Sequence, residues 1–465
     1  MGVMLSTGAG LMTTEARGTW GSKWGFVLAA AGSAVGLGHI WRFPYITGEN
    51  GGAAFVLLYI GCVLLIGVPI LLVELTLGRH ANRNPVGAIK KVAGDSWWKY
   101  VGYMGVSAGL FILSYYAVIA GWTFGYIFKT ALGGTGTHGE FAGNSLLSVS
   151  LFLAFMLMTV GVVYGGVQGG IERWSKILMP LLPVILIAII VYSLTLPGSM
   201  EGVRFYLQPD FSVITGQTVL MALGQAFFAN SLGMGAMVTY GSYLDKKQNI
   251  ITSGLSVVAF GIVISLLAGL AIFPAVFAMG QSPAAGPDLV FVVLPEIFRM
   301  MPGGLLVGTA FFLLLAIAAL TSTISLLEVP VSFLIDEKGM RRKVATWLVA
   351  GVTMLFGIPS LLSFGAVDFF TELPVLGGLS FFGLMDFIFG SVALPLGGML
   401  FAILVGWRWG IPQAVAEIAQ GNRSFMGVQS AVWGVLVRWV CPAVIFLVML
   451  NQMGILQRLG IVSGS

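Results

Sequence analysis

Two short stretches of this chain concentrate glycine around polar side chains within otherwise apolar sequence. The first sets Gly32, Gly36 and Gly38 around Ser33 and His39, and the second sets Gly224, Gly233 and Gly235 around Gln225, Asn230 and Ser231. Glycine costs a helix about 1 kcal/mol relative to alanine and adopts backbone geometry that other residues avoid, so each cluster permits a break. Peptide groups freed at a break in a bilayer can bind ions and a zwitterion at the midplane. The blander use of the same glycines is close helix packing. His39 is the histidine inside apolar sequence, and His80 and His138 are expected in loops. An ionisable group within a membrane segment is a functional candidate by default. Arg42 and Asp386 are two further such charges, costly unless paired or hydrated. The sequence shows no catalytic dyad or metal-ligand cluster, so an enzyme is not expected.

The elements that must hold these residues follow from composition. Of 465 residues, 57% are apolar and 9% are Asp, Glu, Lys or Arg. Mean hydropathy is +0.96. These values exclude an ordinary soluble enzyme, a disordered regulator and a coiled coil, and leave an all-α polytopic membrane protein. The net charge of +5 does not indicate nucleic acid, because the basic residues form short runs between apolar segments. Arg79, Arg83, Lys90 and Lys91 make one such run, read as a cytoplasmic loop. Cys62 and Cys441 lie inside apolar segments, and no disulfide is expected. The first 20 residues are polar and lack the apolar core of a cleavable signal.

Eleven apolar segments run at about 23–46, 52–78, 98–131, 147–165, 171–197, 216–242, 251–280, 304–336, 343–362, 377–406 and 431–452. Each can cross about 30 Å of hydrocarbon. Basic residues alternate in their loops so that the N-terminus is expected inside and, after eleven crossings, the C-terminus outside a cell membrane. The chain reads as one domain with a tail at 1–22, a first repeat over 23–197, a second over 216–406 and a last helix at 431–452. The two Gly-broken segments are the first and the sixth, corresponding members of two five-helix halves. That pattern points to a secondary transporter with a five-plus-five inverted repeat.

The stretch from Gly32 through His39 to Trp41-Arg42-Phe43-Pro44-Tyr45, continued by Glu49-Asn50-Gly51-Gly52, resembles the first helix of the neurotransmitter:sodium symporter family. Gly224-Gln225 to Gly233-Met234-Gly235 resembles its broken sixth helix, and Ala318 to Thr323 its eighth. The likeness runs in order from about Arg17 to the end, within the bacterial eleven-helix, amino-acid-transporting branch with a LeuT-type fold. It implies two sodium sites and a central substrate site. The second sodium site maps to carbonyls of Gly32, Val35 and Ala318 and hydroxyls of Thr321 and Ser322. An all-oxygen cage suits a hard cation, by extension from the divalent ions. The alternative is that Thr321 and Ser322 bond back to their own helix.

The first sodium site departs from the family. His39 stands where an Asn is usual, Ala229 replaces a hydroxyl residue, and Gly261 replaces an Asn or Asp. Three lost ligands around one ion imply that the site is absent. His39 then either carries a proton that compensates a substrate carboxylate, or fills the volume as a neutral ring bonded to backbone or Ser265. A substrate without a carboxylate is a third reading. Tyr59, Gln225 and Ser265 match the family's chloride positions. Without the neighbouring sodium, chloride is not expected.

The substrate positions carried over are Ser33, Ala34, Gly36, Leu37 and Gly38; Ile112 and Tyr116; Phe228, Ala229, Ser231 and Met234; and Ser322, Ser325 and Leu326. Amides of Leu37 and Gly38 with the Tyr116 hydroxyl would take a carboxylate. Carbonyls of Ala34, Phe228 and Ala229, with Ser231, would take an ammonium. Ile112, Phe228, Met234 and Leu326 make an apolar subsite, implying a neutral hydrophobic amino acid. Arg42 and Asp386 match the outer gate. Arg17 with Asp336, Trp20 and Tyr243 match the inner latch, with Ser242 and Glu328 beside it. The charge of Glu328 stands where the family has a neutral amide and has no evident partner in sequence. Gly170 and Pro180 match a spacing that permits unwinding of the fifth helix. The resemblance thus implies a symporter coupling one sodium to inward movement of a small zwitterion. The competing expectation is a proton-coupled or uncoupled carrier of an amine or other solute.

Overall fold

The computed structural model describes residues 18–284, 286, 288–373, 378–422 and 424–460. Arg17, one half of the expected latch pair, lies outside them. The described chain is helical throughout its apolar segments. The first segment is two helices, α1 (Lys23–Ala34) and α2 (Gly38–Glu49), bent by 56°. There follow α3 (Ala53–Ala81), α4 (Lys99–Ala131), α5 (Ser145–Tyr164) and α6 (Val167–Leu194). The sixth segment is again two pieces, α7 (Gly216–Ala229) and α8 (Ala236–Gly241). The rest are α9 (Ile250–Ala278), α10 (Gly304–Lys338), α11 (Arg342–Leu362), α12 (Phe381–Ala419) and α13 (Val428–Gln452). Nine of these are continuous helices long and apolar enough to cross a membrane, and the α1–α2 pair makes a tenth span. Only α7 and α8 fall short, because the sixth segment is cut in two. The chain is an all-α polytopic membrane protein.

The two breaks arise from the glycine clusters. Ser22 caps α1 through its hydroxyl, which accepts from the Gly25 N–H at 3.0 Å. At the other end the Val35 N–H still closes on Ala31 at 2.6 Å, but the Gly36 N–H turns to Ala34 at 3.0 Å. The Gly32 carbonyl thereby loses its helical donor. In the sixth segment Ser231, Gly233 and Gly235 take φ of +51°, +95° and +76°. Gly233 has no room for a side chain, because the backbone carbonyl of Leu394 occupies that place. The freed Gly233 N–H donates to the carboxylate of Glu74 on α3 at 2.6 Å. Glu74 is fully buried, and its carboxyl group faces the N-terminal end of the second half-helix.

The longest helices, α4 with 33 residues and α10 with 35, pack along one another and form the scaffold. α5 has 20 residues. Their close approach needs small residues: a side chain on Gly121 of α4 would lie 2.9 Å from the Phe152 backbone of α5. α1 packs against α6, α9 and α10, and α7 against α3 and α13. Leu57, Leu64 and Leu65 of α3 and Val184, Ile187 and Val191 of α6 face outward, as a lipid-facing surface requires.

One expectation about loops is corrected. Arg79 and His80 belong to α3, and Arg79 is fully buried. Its guanidinium is mostly paired: Nε bonds the Glu417 carboxylate at 2.9 Å, Nη1 the Gln248 and Lys246 carbonyls at 2.7 and 3.4 Å, and Nη2 the Glu417 carbonyl. A buried arginine is tolerated when it is paired and hydrogen-bonded. The tenth segment also runs on to Ala419, which brings Glu417 to Arg79. His138 lies, as expected, in the connection between α4 and α5, where it opens a short helix (His138–Gly143), and its Nδ1 lies 3.0 Å from the Tyr126 hydroxyl.

Burial, and then the neighbouring Lys129, push the His138 imidazole down to about 4 from an ordinary 6.5. The unfolded chain therefore takes up this proton first. Stability rises with pH between about 4 and 6.5 and is lost as pH falls through that window. A thermal-melt series over this range should show the loss, and His138→Gln should flatten it. An unchanged pH profile in the variant would remove His138 as its source.

Candidate functional site

The two breaks and α10 meet at one atom. The carbonyl of Ser33 accepts from the Ser231 hydroxyl at 2.8 Å and from the Ser322 hydroxyl at 3.4 Å. Beside it the missing side chain of Gly32 faces Thr321, whose β-carbon lies 3.0 Å from where a methyl would be. The Thr321 hydroxyl donates to Ala318 at 3.0 Å. Of the five residues expected to hold the second sodium, Gly32 of α1 and Thr321 of α10 are thus neighbours, and Ser322 reaches the end of α1 at Ser33. They present carbonyls and hydroxyls only, a donor set that fits a hard monovalent cation by extension from the divalent ions. The Gly32 carbonyl is left without its helical donor, because the Gly36 N–H has turned to Ala34.

A cavity of about 50 Å³ lies next to this junction. Ala34, Gly36 and Gly38 line it from the first segment, and Ile112 and Tyr116 from α4. Phe228, Ser231 and Met234 line it from the sixth segment, and Ser322 and Leu326 from α10. Leu394 of α12 completes the lining and was not foreseen; no motif marks it. The Leu37 N–H donates to the Tyr116 hydroxyl at 3.1 Å, so two of the three groups expected to hold a carboxylate stand side by side. Gln225 fixes the far edge of the break by donating to Gly38 at 2.7 Å. A methyl on Gly36 would run into Ser322 and Tyr116, which explains why the position is bare. Ser325 bonds back to Ser322 at 2.9 Å and does not line the cavity, nor do Ser33, Leu37, His39 and Ala229.

His39 and Gly261 are neighbours in space. A β-carbon on Gly261 would lie 2.9 Å from Nε2 of His39. Both residues are buried, as are Ala229 and Ser265. Nδ1 of His39 is buried with no hydrogen-bond partner among the described residues. Oε1 of Gln225 is likewise buried, with no hydrogen-bond partner among the described residues.

A second cavity, of about 230 Å³, adjoins the first. Gly38, Tyr116 and Phe228 line both, so the Phe228 and Tyr116 rings form the partition. Arg42 and Asp386 line the larger cavity but do not form an ion pair among the described residues. The guanidinium of Arg42 lies 4.3 Å over the Phe228 ring, and its Nη1 is buried without a partner. Asp386 faces the Tyr115 hydroxyl across Gly390, where a methyl would meet both within 2.9 Å. This end of the molecule is open above the partition.

The opposite end is closed. Trp20 is buried, donates from Nε1 to the Tyr240 carbonyl at 2.9 Å, and meets Phe26, Tyr240 and Tyr243 edge-on. The Tyr243 hydroxyl donates to Glu328 at 2.6 Å. Asp336 accepts from the Asn84 N–H at 2.7 Å. Glu328 does have a partner, contrary to its sequence reading: Arg342 at the start of α11 pairs with its second oxygen and reaches the Val163 carbonyl at 3.1 Å. Glu74 and Glu172 are site-supporting acids that sequence reasoning passed over, and Arg342, read in sequence as one of a run of cytoplasmic loop charges, joins them. An acid inside an apolar segment was a usable signal for Glu74. Arg342→Ala should strand the buried Glu328 charge, at a cost of about 3–5 kcal/mol. The loss should show as a lower melting temperature and a latch side open to a labelling reagent. A variant that melts like the parent would refute the role.

A model of the Sodium:neurotransmitter symporter family matches residues 17–134 and 139–461. The chain belongs to that family. It is therefore a membrane transporter and not an enzyme, in a family whose members use sodium. It is 42% identical over 447 residues to the sodium-dependent transporter YhdH of Bacillus subtilis, covering 94% of this chain and 98% of that protein. It is 37% identical to a sodium-dependent transporter of Haemophilus influenzae, covering 95% and 100%. Among solved structures, MhsT in complex with L-phenylalanine is similar with a TM-score of 0.84 and 46% identity, over 94% of this chain and all of that one.

Proposed function

We propose that this symporter couples one sodium, held by Gly32, Val35, Ala318, Thr321 and Ser322, to inward transport of a neutral hydrophobic amino acid. The observation that carries the reading is the junction at Ser33, where both broken segments and α10 share one carbonyl next to the Gly32–Thr321 contact. The substrate class is supported by the apolar lining from Ile112, Phe228, Met234, Leu326 and Leu394, and by the likeness to MhsT, crystallised with L-phenylalanine. The carboxylate is taken by the Leu37 and Gly38 amides with the Tyr116 hydroxyl. The ammonium faces carbonyls of Ala34, Phe228 and Ala229 with the Ser231 hydroxyl. The small cavity is enlarged by displacement of Phe228 into the larger one above.

His39 takes the volume of the first ion, and Gly261 makes room for it. The N-terminus is cytoplasmic, the C-terminus outside, and the open cavity faces the exterior. Transport closes Arg42 and Phe228 over the substrate. It then releases Trp20, unwinds α6 between Gly170 and Pro180, and lets water reach the sodium from the cytoplasm. Chloride is not part of the cycle.

The test is a sodium titration of amino-acid uptake in proteoliposomes at fixed pH. A Hill slope near one is expected. A slope clearly above one would restore a first sodium site. Uptake driven by a proton gradient without sodium, and lost in His39→Asn, would replace the proposal with a proton-coupled carrier.

A further inference from the structure

The first turns of α6 and the segment entering α1 are tied together by a single carboxylate. Glu172 is buried, and it accepts from the Gly21 N–H at 2.7 Å and from the Ser22 hydroxyl at 3.1 Å. Its third partner is Lys176 on its own helix, at 2.6 Å. The carboxylate occupies the space that a side chain on Gly25 would need. Four residues before it, Gln168 donates to the Thr19 carbonyl at 2.8 Å. Gly18 lies against Val167, which a methyl there would approach to 2.9 Å. Residues 18–22 are therefore docked on 167–172 by two hydrogen bonds to a charge, one to an amide and direct packing.

The dock falls on the weakest part of α6. Residues 167–172 form a wide π turn, and Gly166 before it has φ of +82°. Gly170 sits within that turn, held against the Val162 carbonyl of α5. On its other side the docked segment carries Trp20, the plug of the closed end. Moving Trp20 out without moving α6, or unwinding α6 without moving Trp20, would leave the Glu172 carboxylate buried with Lys176 as its remaining partner. Moving both together carries the carboxylate to water, where its lost donors are replaced.

We propose that Glu172 is a positioning residue that makes release of the N-terminal latch and unwinding of the first turns of α6 one event. The inference rests on the proposed unwinding of α6. Gln168 and Val167 align the two segments, and the Glu172 charge couples them. Sodium held by α1 and α10 then stabilises both segments at once.

The experiment is hydrogen exchange on the full chain in nanodiscs, followed by mass spectrometry, with and without sodium. In the parent protein, peptides covering 18–25 and 167–172 should slow in sodium by the same factor. In Glu172→Gln, exchange in 18–25 should rise at least about tenfold, that in 167–172 less than about threefold, and α5 not at all. Gly25→Ala evicts the carboxylate while leaving Glu172 and Lys176 in place. It should give the same separation and serves if the first variant does not fold. Glu172→Asp, which keeps the charge on a shorter arm, should fall between. Equal rises in both segments, or a rise throughout the protein, would overturn the coupling and leave Glu172 an ordinary structural acid. If 167–172 does not respond to sodium in the parent protein, the unwinding itself is refuted and the coupling falls with it. If 167–172 responds and 18–25 does not, the coupling alone falls.

Discussion

Thr321→Ala should raise the sodium concentration for half-maximal uptake about 10- to 100-fold while leaving maximal uptake at saturating sodium within a few-fold. The range follows from the value of about 1.5–3 kcal/mol for a polar contact to a charge, set against about 1.4 kcal/mol per factor of ten. Thr321 is the cleaner choice of the two hydroxyls. Its Oγ1 bonds Ala318 on its own helix, so its loss leaves no other segment unpaired. Ser322 also contacts the Ser33 carbonyl and lines the substrate cavity, so Ser322→Ala should weaken sodium and substrate together. The measurement is a sodium titration of uptake for parent and variants at one pH and one substrate concentration. Unchanged sodium dependence in both variants would remove these hydroxyls from the ion site.

Gly261→Asn should abolish transport in the parent background, and His39→Asn in the same chain should restore it. The first effect is steric. A β-carbon at Gly261 lies 2.9 Å from His39 Nε2, and the amide beyond it has no space while the imidazole is there. Overpacking of a filled interior costs about 1–3 kcal/mol, more when a polar group is left unsatisfied. The second effect reverses the sign, because the smaller Asn vacates that volume. With Ala229→Ser added, the three family ligands stand around one cavity again, and the Hill slope for sodium should rise clearly above one. The decisive comparison is between the single and double variants. If Gly261→Asn transports normally, His39 and Gly261 do not share a volume. If the double variant is as dead as the single, the imidazole has a task that volume does not describe.

Much of this architecture is legible in sequence because its causes are local. Glycine clusters at 32–38 and 233–235 announce breaks, and the structure breaks the helices there. The placement of Gly261 rests on its register to Ala268-Gly269 along one helix, and the structure sets Gly261 beside His39. What escaped depends on distant partners. Arg79 looks like a loop charge until Glu417, 338 positions away, is brought beside it. Glu328 looks unpaired until α11 delivers Arg342. Glu172 stands beside Arg173 like any charge at a helix boundary, and nothing in the sequence says that it faces Gly21. Arg42 and Asp386 are a different kind of omission. Their types suggest a pair, but whether they meet depends on which end of the molecule is open.

The unequal helix lengths bear on the surrounding lipid. At about 1.5 Å per residue, the 35 residues of α10 reach about 52 Å, while the 20 residues of α5 reach about 30 Å. A hydrocarbon layer of about 30 Å leaves α10 with surplus at its ends and α5 with none. A thicker bilayer therefore finds slack in the scaffold core and meets its hydrophobic mismatch at the α5 rim. Because α5 abuts the Gly165–Gly170 turn of α6, acyl-chain length would act on the fifth helix's opening before it acts on the ion cage.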